Sequence, residues 1–241
     1  MILRPANAQT TILVAAAADL QPVLPAILQQ FSQKTGIRAE ATYKASAMLT
    51  TQIQNGAPFD IFLAANLGYP SRVIKAGLAD STEPIPYAAG TLVLWTRNDS
   101  SLPAPSLDLL RNSSALRRLA IANPDRAPYG NAAVAALTSL GLYDTLKPKL
   151  ATAENISQAA QFVYSHNADA GLISLTSALT PEMKAAGRYF VIPRNLYPPL
   201  QQGAVVMRNA RHRAAAHRLL DFLLSTPVQA QLAKGGLAPV H

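Results

Sequence analysis

Residues 11–31 read TILVAAAADLQPVLPAILQQF, and the pattern of this stretch decides the fold class. The run from Thr11 to Ala16 is short and apolar, which predicts a strand buried on both faces of a parallel sheet. From Leu20 to Phe31 the apolar residues recur at i, i+3, i+4, i+7 and i+8, which predicts a helix with one buried face. We expect Asp19 to cap this helix and Pro25 to kink it.

The same alternation of strand and helix patterns continues along the chain. Further strands are predicted at residues 38–43, 60–65, 90–95, 119–122, 170–174, 189–192 and 204–207. Further helices are predicted at residues 47–55, 69–76, 130–140, 157–164, 213–225 and 227–233. Strands that alternate with helices indicate α/β layers with mostly parallel sheets.

The composition bounds the class of protein. The 241 residues are 49% hydrophobic, so the chain can bury a sizeable core as one large domain or as two small lobes. The formal net charge is +8, but the basic residues are scattered and form no nucleic-acid-binding module, so we predict no nucleic-acid partner. Cysteine is absent, which excludes disulfides, thiolate metal sites and cysteine nucleophiles.

The N-terminus contains a pattern of secreted proteins. Ala6-Asn7-Ala8 reads as A-x-A, the small-residue pattern that precedes a signal-peptidase cleavage site. We predict that residues 1–8 are the remnant of a signal peptide, with the mature chain starting near Gln9. The alternative is a coincidence in an alanine-rich chain. No later stretch reaches the roughly 18 apolar residues that a membrane-spanning helix needs.

The sequence lacks the usual signatures of an enzyme or a metal-ion site. Its four histidines show neither H-x-x-x-H nor HExxH spacing, and they are His166, His212, His217 and His241. It also contains no G-x-S-x-G motif, no P-loop and no evident carboxylate pair. We therefore predict a binding protein that is not an enzyme and uses no cofactor and no bare metal cation.

Four junctions between a predicted strand and the following helix are candidates for an anion site. They are Ala17-Ala18-Asp19, Ala45-Ser46-Ala47, residues 123–130 and Asn155-Ile156-Ser157. Helix N-termini offer unpaired backbone N–H groups and the positive end of the helix dipole, and ligands of open α/β sheets bind at such ends. The four junctions are able to converge on one small anion, although their spacing alone leaves that open.

Several stretches of the chain resemble one known family. They are VAAAADL at residues 14–20, QIQNGAPFDIF at 52–62, TLVLW at 91–95, ANPDRAPYG at 122–130, LGLYDTL at 140–146 and YPPLQQGAVV at 197–206. In this order they are similar to the periplasmic molybdate-binding proteins of the ModA type, which are receptors of ABC importers. The resemblance spans nearly the whole chain after Gln9.

The resemblance implies a two-lobed periplasmic binding protein of type II, with two mostly parallel sheets and a hinge of two crossover strands. Residues 9–86 and 202–241 are expected to form lobe I, and residues 87–201 lobe II. The anion would lie in the cleft, and the lobes would close on it. The expected partners are the ABC permease and its ATPase at the inner membrane, and the expected state is a periplasmic monomer.

The resemblance also implies which residues hold the oxyanion. In the family the four junctions contact the ligand, and the matching positions here are Ala18, Asp19, Ser46, Tyr129 and Ile156. Molybdenum would therefore be held as an oxyanion rather than as a bare cation. Ser174 matches a position where some members place a tyrosine hydroxyl on the ligand, although a strand-end serine is the plainer interpretation.

This chain departs from the family pattern around the first two junctions. Ala18 stands where many members have a hydroxyl, and Asp19 stands where some have asparagine. Because a carboxylate would repel a dianion, we expect Asp19 to turn away and cap its own helix. Lys44 is expected to bond to the anion or to pair with Asp19, unless it is a solvated surface lysine. Ser46 as a plain helix cap and Tyr129 as mere cleft packing remain the alternatives.

The predicted ligand is a fully deprotonated tetrahedral dianion, molybdate or tungstate. A protonated species such as hydrogen phosphate would bury an O–H without an acceptor. Sulfate is the alternative ligand, and it is smaller. The alternative classes are a ligand-sensing regulatory module of the same fold and a periplasmic hydrolase.

Overall fold

The computed structural model describes residues 10–239, so the Ala6-Asn7-Ala8 pattern lies outside the described part. The strands in this part are β1 (Thr11–Ala17), β2 (Arg38–Lys44), β3 (Ile61–Ala64), β4 (Ile85–Ala89), β5 (Leu92–Arg97), β6 (Leu119–Ala122), β7 (Leu150–Ala153), β8 (Ala170–Ser174), β9 (Gly187–Val191) and β10 (Gln201–Val206). The α/β class that was predicted from the alternating patterns is confirmed.

Helices follow most of these strands. They are α1 (Leu24–Thr35), α2 (Ser46–Gln54), α3 (Gly68–Lys75), α4 (Leu107–Arg111), α5 (Pro128–Ser139), α6 (Tyr143–Leu146), α7 (Ile156–Tyr164), α8 (Leu175–Ala178), α9 (Pro181–Ala186), α10 (Arg213–Leu224) and α11 (Thr226–Lys234). Within residues 10–239, none of the helices is both long and apolar enough to cross a bilayer.

The strands form two five-stranded sheets, which define the two lobes. The sheet of lobe I has the order β2-β1-β3-β10-β4, and the sheet of lobe II has the order β7-β6-β8-β5-β9. In each sheet two strand pairs are parallel and two are antiparallel, so the prediction of mostly parallel sheets is wrong. Strand β10 returns from the other lobe and therefore runs against β3, whereas pairs joined through a helix run parallel.

The chain crosses between the two sheets twice. The first crossover is at residues 90–91, between β4 and β5, and the second is at residues 192–200, between β9 and β10. The predicted boundary after Pro86 therefore falls inside β4, a strand of lobe I. Proline is tolerated there because β4 is an edge strand, where a missing N–H costs no ladder bond.

The first helix begins later than the sequence predicts. Residues Ala18–Leu20 form a single 3-10 turn, and α1 begins only at Leu24. Pro25 therefore lies in the first turn of α1, where proline is well accommodated, and the predicted kink is wrong. The predicted cap is also wrong, because no side chain caps the 3-10 turn that contains Asp19.

Apolar packing holds each sheet between its helices. In lobe I the side chains of α1 and α10 cover β1 and β3, with Phe31 against Phe222 at 5.6 Å between ring centroids. In lobe II, β5 is buried through Trp95, and α5 and α7 cover the sheet. This packing brings the carboxyl ends of β1 and β6 to the line where the two lobes meet, which is where the predicted junctions lie.

Candidate functional site

A small cavity lies between the lobes at these strand ends. Its wall is formed by Ala17, Ala18, Asp19, Lys44, Ala45, Ser46, Ala65, Ala127, Pro128, Tyr129, Asn155 and Ile156. The cavity encloses about 190 Å³ of empty space including its mouth. Residues from all four predicted junctions therefore meet at one hollow between the two lobes.

Unpaired backbone donors line this cavity from both lobes. Among the described residues, the N–H groups of Ala18, Ser46, Tyr129 and Ile156 donate to no carbonyl. Three of these residues stand in the first turns of α2, α5 and α7, where N–H groups have no partner within the helix. Buried N–H groups without partners are costly, so this arrangement calls for an acceptor in the cavity.

The hydroxyl of Ser46 is a further donor at the cavity. Ala45, and not Ser46, precedes the first turn of α2, so Ser46 is not the plain helix cap. Ser46 is buried, and its Oγ accepts from the backbone N–H of Ala65 at 3.1 Å. A hydroxyl that accepts in this way keeps its own proton for another partner. No acceptor for that proton is present among the described residues, so the proton is available to a guest.

Asp19 is fully buried at the base of the cavity. Its Oδ2 accepts from Nε2 of Gln202, and its Oδ1 has no partner among the described residues. Burial raises the pKa of Asp19 to about 6, although the nearby donors lower it in part. The Tyr129 hydroxyl is one of these donors, but the Oη and Oδ1 atoms do not reach the geometry of a full hydrogen bond.

The side chain of Asp19 therefore points toward Gln202 of β10 and, beyond it, toward Tyr87 of β4. The Tyr87 hydroxyl donates to Oε1 of Gln202 at 2.7 Å, so Asp19, Gln202 and Tyr87 form a buried chain of polar groups. Burial and the charge of Asp19 raise the pKa of Tyr87 well above its ordinary value. Residues of lobe I therefore orient the Asp19 carboxyl, and not the start of the helix that it was expected to cap.

Tyr129 serves the cavity with its backbone while its ring packs across the cleft. The ring is buried, and its hydroxyl lies so close to Gly90 in the first crossover that a Cβ there would overlap it. Burial, together with the charge of Asp19, raises the pKa of Tyr129 well above its ordinary value. The side chain thus contacts the hinge, and the unpaired backbone N–H is left to donate to a guest.

Lys44 and Ser174 occupy different positions from the other predicted residues. Lys44 is a half-buried residue of the cavity wall, and no ion pair joins it to Asp19 in the described structure. Ser174 is not among the residues of the cavity wall. It precedes α8, and its Oγ accepts from the Ser177 N–H at 3.3 Å.

Within residues 10–239, three hydrogen bonds join the two lobes around the cavity, and the sequence predicted none of them. Oγ of Ser157 donates to the Ala18 carbonyl at 2.7 Å, and Oγ1 of Thr176 donates to the Asp19 carbonyl at 2.7 Å. On the other side, the Ala47 N–H donates to the Arg126 carbonyl at 3.1 Å. Ser157 is the second residue of α7 and Thr176 the second residue of α8. No local sequence pattern indicates that either hydroxyl bonds to the other lobe.

Two α/β lobes that close over a small cavity lined by neutral donors define the class of two-lobed solute-binding proteins. In residues 10–239, no three His, Asp or Glu side chains come together in a way that would hold a metal ion. All of these groups are N–H or O–H donors, so they suit a ligand that accepts hydrogen bonds. A small anion is the strongest acceptor of that kind.

Comparisons with known proteins identify the family. The family model of bacterial extracellular solute-binding proteins matches residues 12–238. The molybdate-binding protein ModA of Rhodobacter capsulatus is 35% identical over 212 residues, which cover 88% of this chain and 82% of that protein. ModA of Azotobacter vinelandii is 36% identical over 210 residues, which cover 87% of this chain and 82% of that protein.

A solved structure agrees with these relatives. The periplasmic molybdate-binding protein of Azotobacter vinelandii superposes with a TM-score of 0.89 at 28% identity, covering 95% of this chain and 100% of that one. The chain belongs to the ModA family of bacterial extracellular solute-binding proteins. The family resemblance and the two-lobed fold predicted from the sequence are confirmed.

Proposed function

We propose that this protein captures molybdate or tungstate outside the inner membrane and delivers it, as a monomer in the periplasm, to an ABC permease and its ATPase. In this role it is a binding protein and not an enzyme, and it needs no cofactor. The oxyanion would be held at Ala18, Ser46, Tyr129 and Ile156. The names of its relatives support the choice of molybdate.

One observation carries this proposal. Four unpaired backbone N–H groups and the free proton of Ser46 come from both lobes to one small cavity. Neutral donors of this kind stabilise a buried anion without a matching charge, because the dipoles are already oriented. A guest that touches both lobes stabilises the closed state, which is the state that the transporter would recognise.

The donors also bear on the choice among oxyanions. Each of these groups donates, so an oxyanion with no proton of its own satisfies all of them. A hydrogen oxyanion would need an acceptor for its own proton, and none of these N–H and O–H donors supplies one. Sulfate would be held by fewer contacts because it is smaller than molybdate.

Molybdate is expected to raise the melting temperature of the purified protein by roughly 5–10 °C at about a hundredfold excess over Kd. A ligand that binds only the native state stabilises it in proportion to the logarithm of its concentration. A thermal-shift series with molybdate, tungstate, sulfate, phosphate and chromate measures this, and chloride at matched ionic strength is the control. A shift with sulfate or phosphate but not with molybdate or tungstate would contradict the proposed ligand.

Ser46→Ala is expected to weaken molybdate binding by roughly 1–3 kcal/mol, because a buried donor to a charged acceptor is lost. Isothermal titration calorimetry measures the affinity. Ser71→Ala is the matched control, since the Ser71 hydroxyl donates only to the Leu67 carbonyl of its own helix region, at 2.8 Å. Equal affinities for wild type and Ser46→Ala would show that the hydroxyl does not reach the anion.

A further inference from the structure

The turn at Ala18 and Asp19 contributes to the cavity and also bonds to lobe II. The N–H of Ala18 lies at the cavity, while the carbonyls of Ala18 and Asp19 are directed to lobe II. Each carbonyl accepts from one hydroxyl of lobe II, that of Ser157 or that of Thr176. The same turn therefore provides a donor to the guest and two acceptors to the opposite lobe.

We propose that Ser157 and Thr176 are positioning residues that hold the two lobes closed over the cavity by donating to the carbonyls of Ala18 and Asp19. This role rests on the proposed function, because it concerns how that function's closed state is reached. Neither hydroxyl belongs to a residue of the cavity wall, so neither serves as a contact to the anion.

The energetic argument starts from burial. Ala18, Asp19 and Thr176 are all buried in the closed structure, at 4%, 0% and 1% exposure. In an open form, water can bond to both carbonyls, but closure removes that water. A buried carbonyl without a donor is unfavourable. Among the described residues, Thr176 is the one donor to the Asp19 carbonyl, whereas the Ala18 carbonyl also accepts from the Gln21 N–H at 3.1 Å. Closure therefore depends most on the Thr176 hydroxyl, and the Ser157 hydroxyl adds a second bond at the Ala18 carbonyl.

Thr176 is itself held in place by a chain of hydroxyls. Its Oγ1 lies 2.7 Å from the Asp19 carbonyl and 2.9 Å from Oγ of Ser174. Because the carbonyl can only accept, the Thr176 proton goes to Asp19, and Ser174 donates its own proton to Thr176. Oγ of Ser177 lies 2.9 Å from Oγ of Ser174 and continues this chain. Ser174, which the family pattern suggested as a ligand, here supports the contact between the lobes.

The consequence for binding follows from the open–closed equilibrium. The apparent Kd equals the intrinsic Kd divided by the fraction of protein in the closed, binding-competent form. Loss of either hydroxyl lowers that fraction without touching the anion. Affinity should therefore fall by the same factor for every anion that binds, and the ratio of affinities between two anions should not change.

The test measures molybdate and tungstate affinities by calorimetry in Ser157→Ala and Thr176→Val. Thr176→Val is expected to bind both anions roughly five- to thirtyfold more weakly, with the molybdate-to-tungstate ratio of wild type. Ser157→Ala should keep the same ratio with a smaller loss, roughly two- to tenfold, because the Gln21 N–H still donates to the Ala18 carbonyl. Thr176→Ser keeps the hydroxyl and should retain wild-type affinity. Ser165→Ala is the matched control, because its hydroxyl donates at 2.7 Å to the Gln161 carbonyl at the end of the same helix α7, within one lobe.

A distance measurement separates closure from folding. The chain contains no cysteine, so Gln29→Cys and Thr138→Cys introduce one label on an exposed helical position of each lobe. At saturating molybdate, the variants should reach the same interlobe distance as wild type, but at higher concentrations of the anion.

Wild-type affinity in both Ser157→Ala and Thr176→Val would overturn the proposal, and so would a loss equal to that of Ser165→Ala. Failure of the proposed function would be distinct, since wild type itself would then show no response to either anion.

Discussion

Asp19→Asn is expected to remove most of the pH dependence of molybdate binding and to strengthen binding at about pH 8 by about tenfold or more. Burial raises the pKa of Asp19 to about 6, so this carboxyl is largely ionised at neutral pH in the absence of ligand. A dianion in the same cavity repels an ionised carboxylate. Wild type should therefore take up a proton when the anion binds, and affinity should fall as the pH rises above about 6.

The groups around Asp19 support this expectation. Gln202 and Tyr87 face the carboxyl from lobe I, and Tyr129 faces it from lobe II. The pKa values of both tyrosines are raised well above the ordinary value, so both stay neutral in this range. Lys44 is the cation of the cavity wall, and it is present in wild type and variant alike. Asparagine keeps an acceptor for Gln202 and supplies a donor toward the unpaired Tyr129 hydroxyl.

Calorimetry at several pH values measures the dissociation constants of wild type and of Asp19→Asn. Their ratio reports the effect of Asp19 alone, because any protonation of the anion itself affects both proteins equally. The stability of the unliganded protein gives a second measure. A raised carboxyl pKa means that the folded state binds more protons than the unfolded state between the ordinary pKa of 3.8 and about 6. Wild type should therefore lose about 3 kcal/mol of stability as the pH rises through that range, and Asp19→Asn should not.

Urea unfolding of both proteins at the two ends of the range provides that comparison. Two parallel stability profiles would show that Asp19 is accommodated as a carboxylate at no cost. Two parallel affinity profiles would show that binding involves no proton at this position, and the anion would then coexist with the charge of Asp19.

Gly130→Ala is expected to lower molybdate affinity by more than about tenfold and to destabilise the protein by about 1–3 kcal/mol. Gly130 lies in the first turn of α5, against the end of β6. A Cβ there would overlap the Ala122 carbonyl oxygen and lie 2.7 Å from the carbonyl carbon and oxygen of Asn123. These are backbone atoms and cannot rotate away, so α5 must shift and carry the N–H of Tyr129 with it.

Gly68→Ala is the matched control for this substitution. Gly68 is the first residue of α3, and the nearest atom to an added Cβ would be Oδ1 of Asn66, at an ordinary 3.7 Å. Alanine also favours the helix by up to about 1 kcal/mol over glycine, so this control should be neutral or slightly stabilising. Calorimetry and thermal unfolding measure both effects. Wild-type affinity in Gly130→Ala would mean that the start of α5 does not position a donor for the anion.

Continuous apolar runs in the sequence predicted the strand positions best. The apolar runs at β1, β6 and β8 predicted strands at the observed positions within one residue, because a continuous apolar run suits a strand that is buried on both faces. The edge strands β4 and β7 were missed. They are partly exposed and short, and the prolines near β4 indicated a crossover instead.

The site was predicted in part. The four strand-to-helix junctions indicated an anion site, and the structure brings Ala18, Asp19, Ser46, Tyr129 and Ile156 to one cavity. Their contacts with an anion remain predictions. The partners of Asp19 were not predictable, since Gln202 lies 183 positions further along the chain and reaches it only through the pairing of β10 with β3.

By itself, the sequence determined the α/β alternation, the family and the four places where backbone donors are left unpaired, because these depend on local periodicity, helix starts and motifs. Only the tertiary structure decided that those places meet across two lobes, that Asp19 is turned toward Gln202, and that Ser157 and Thr176 join the lobes. Such contacts depend on how two separately packed sheets face each other, and residues that are distant in the chain carry no local pattern of that geometry.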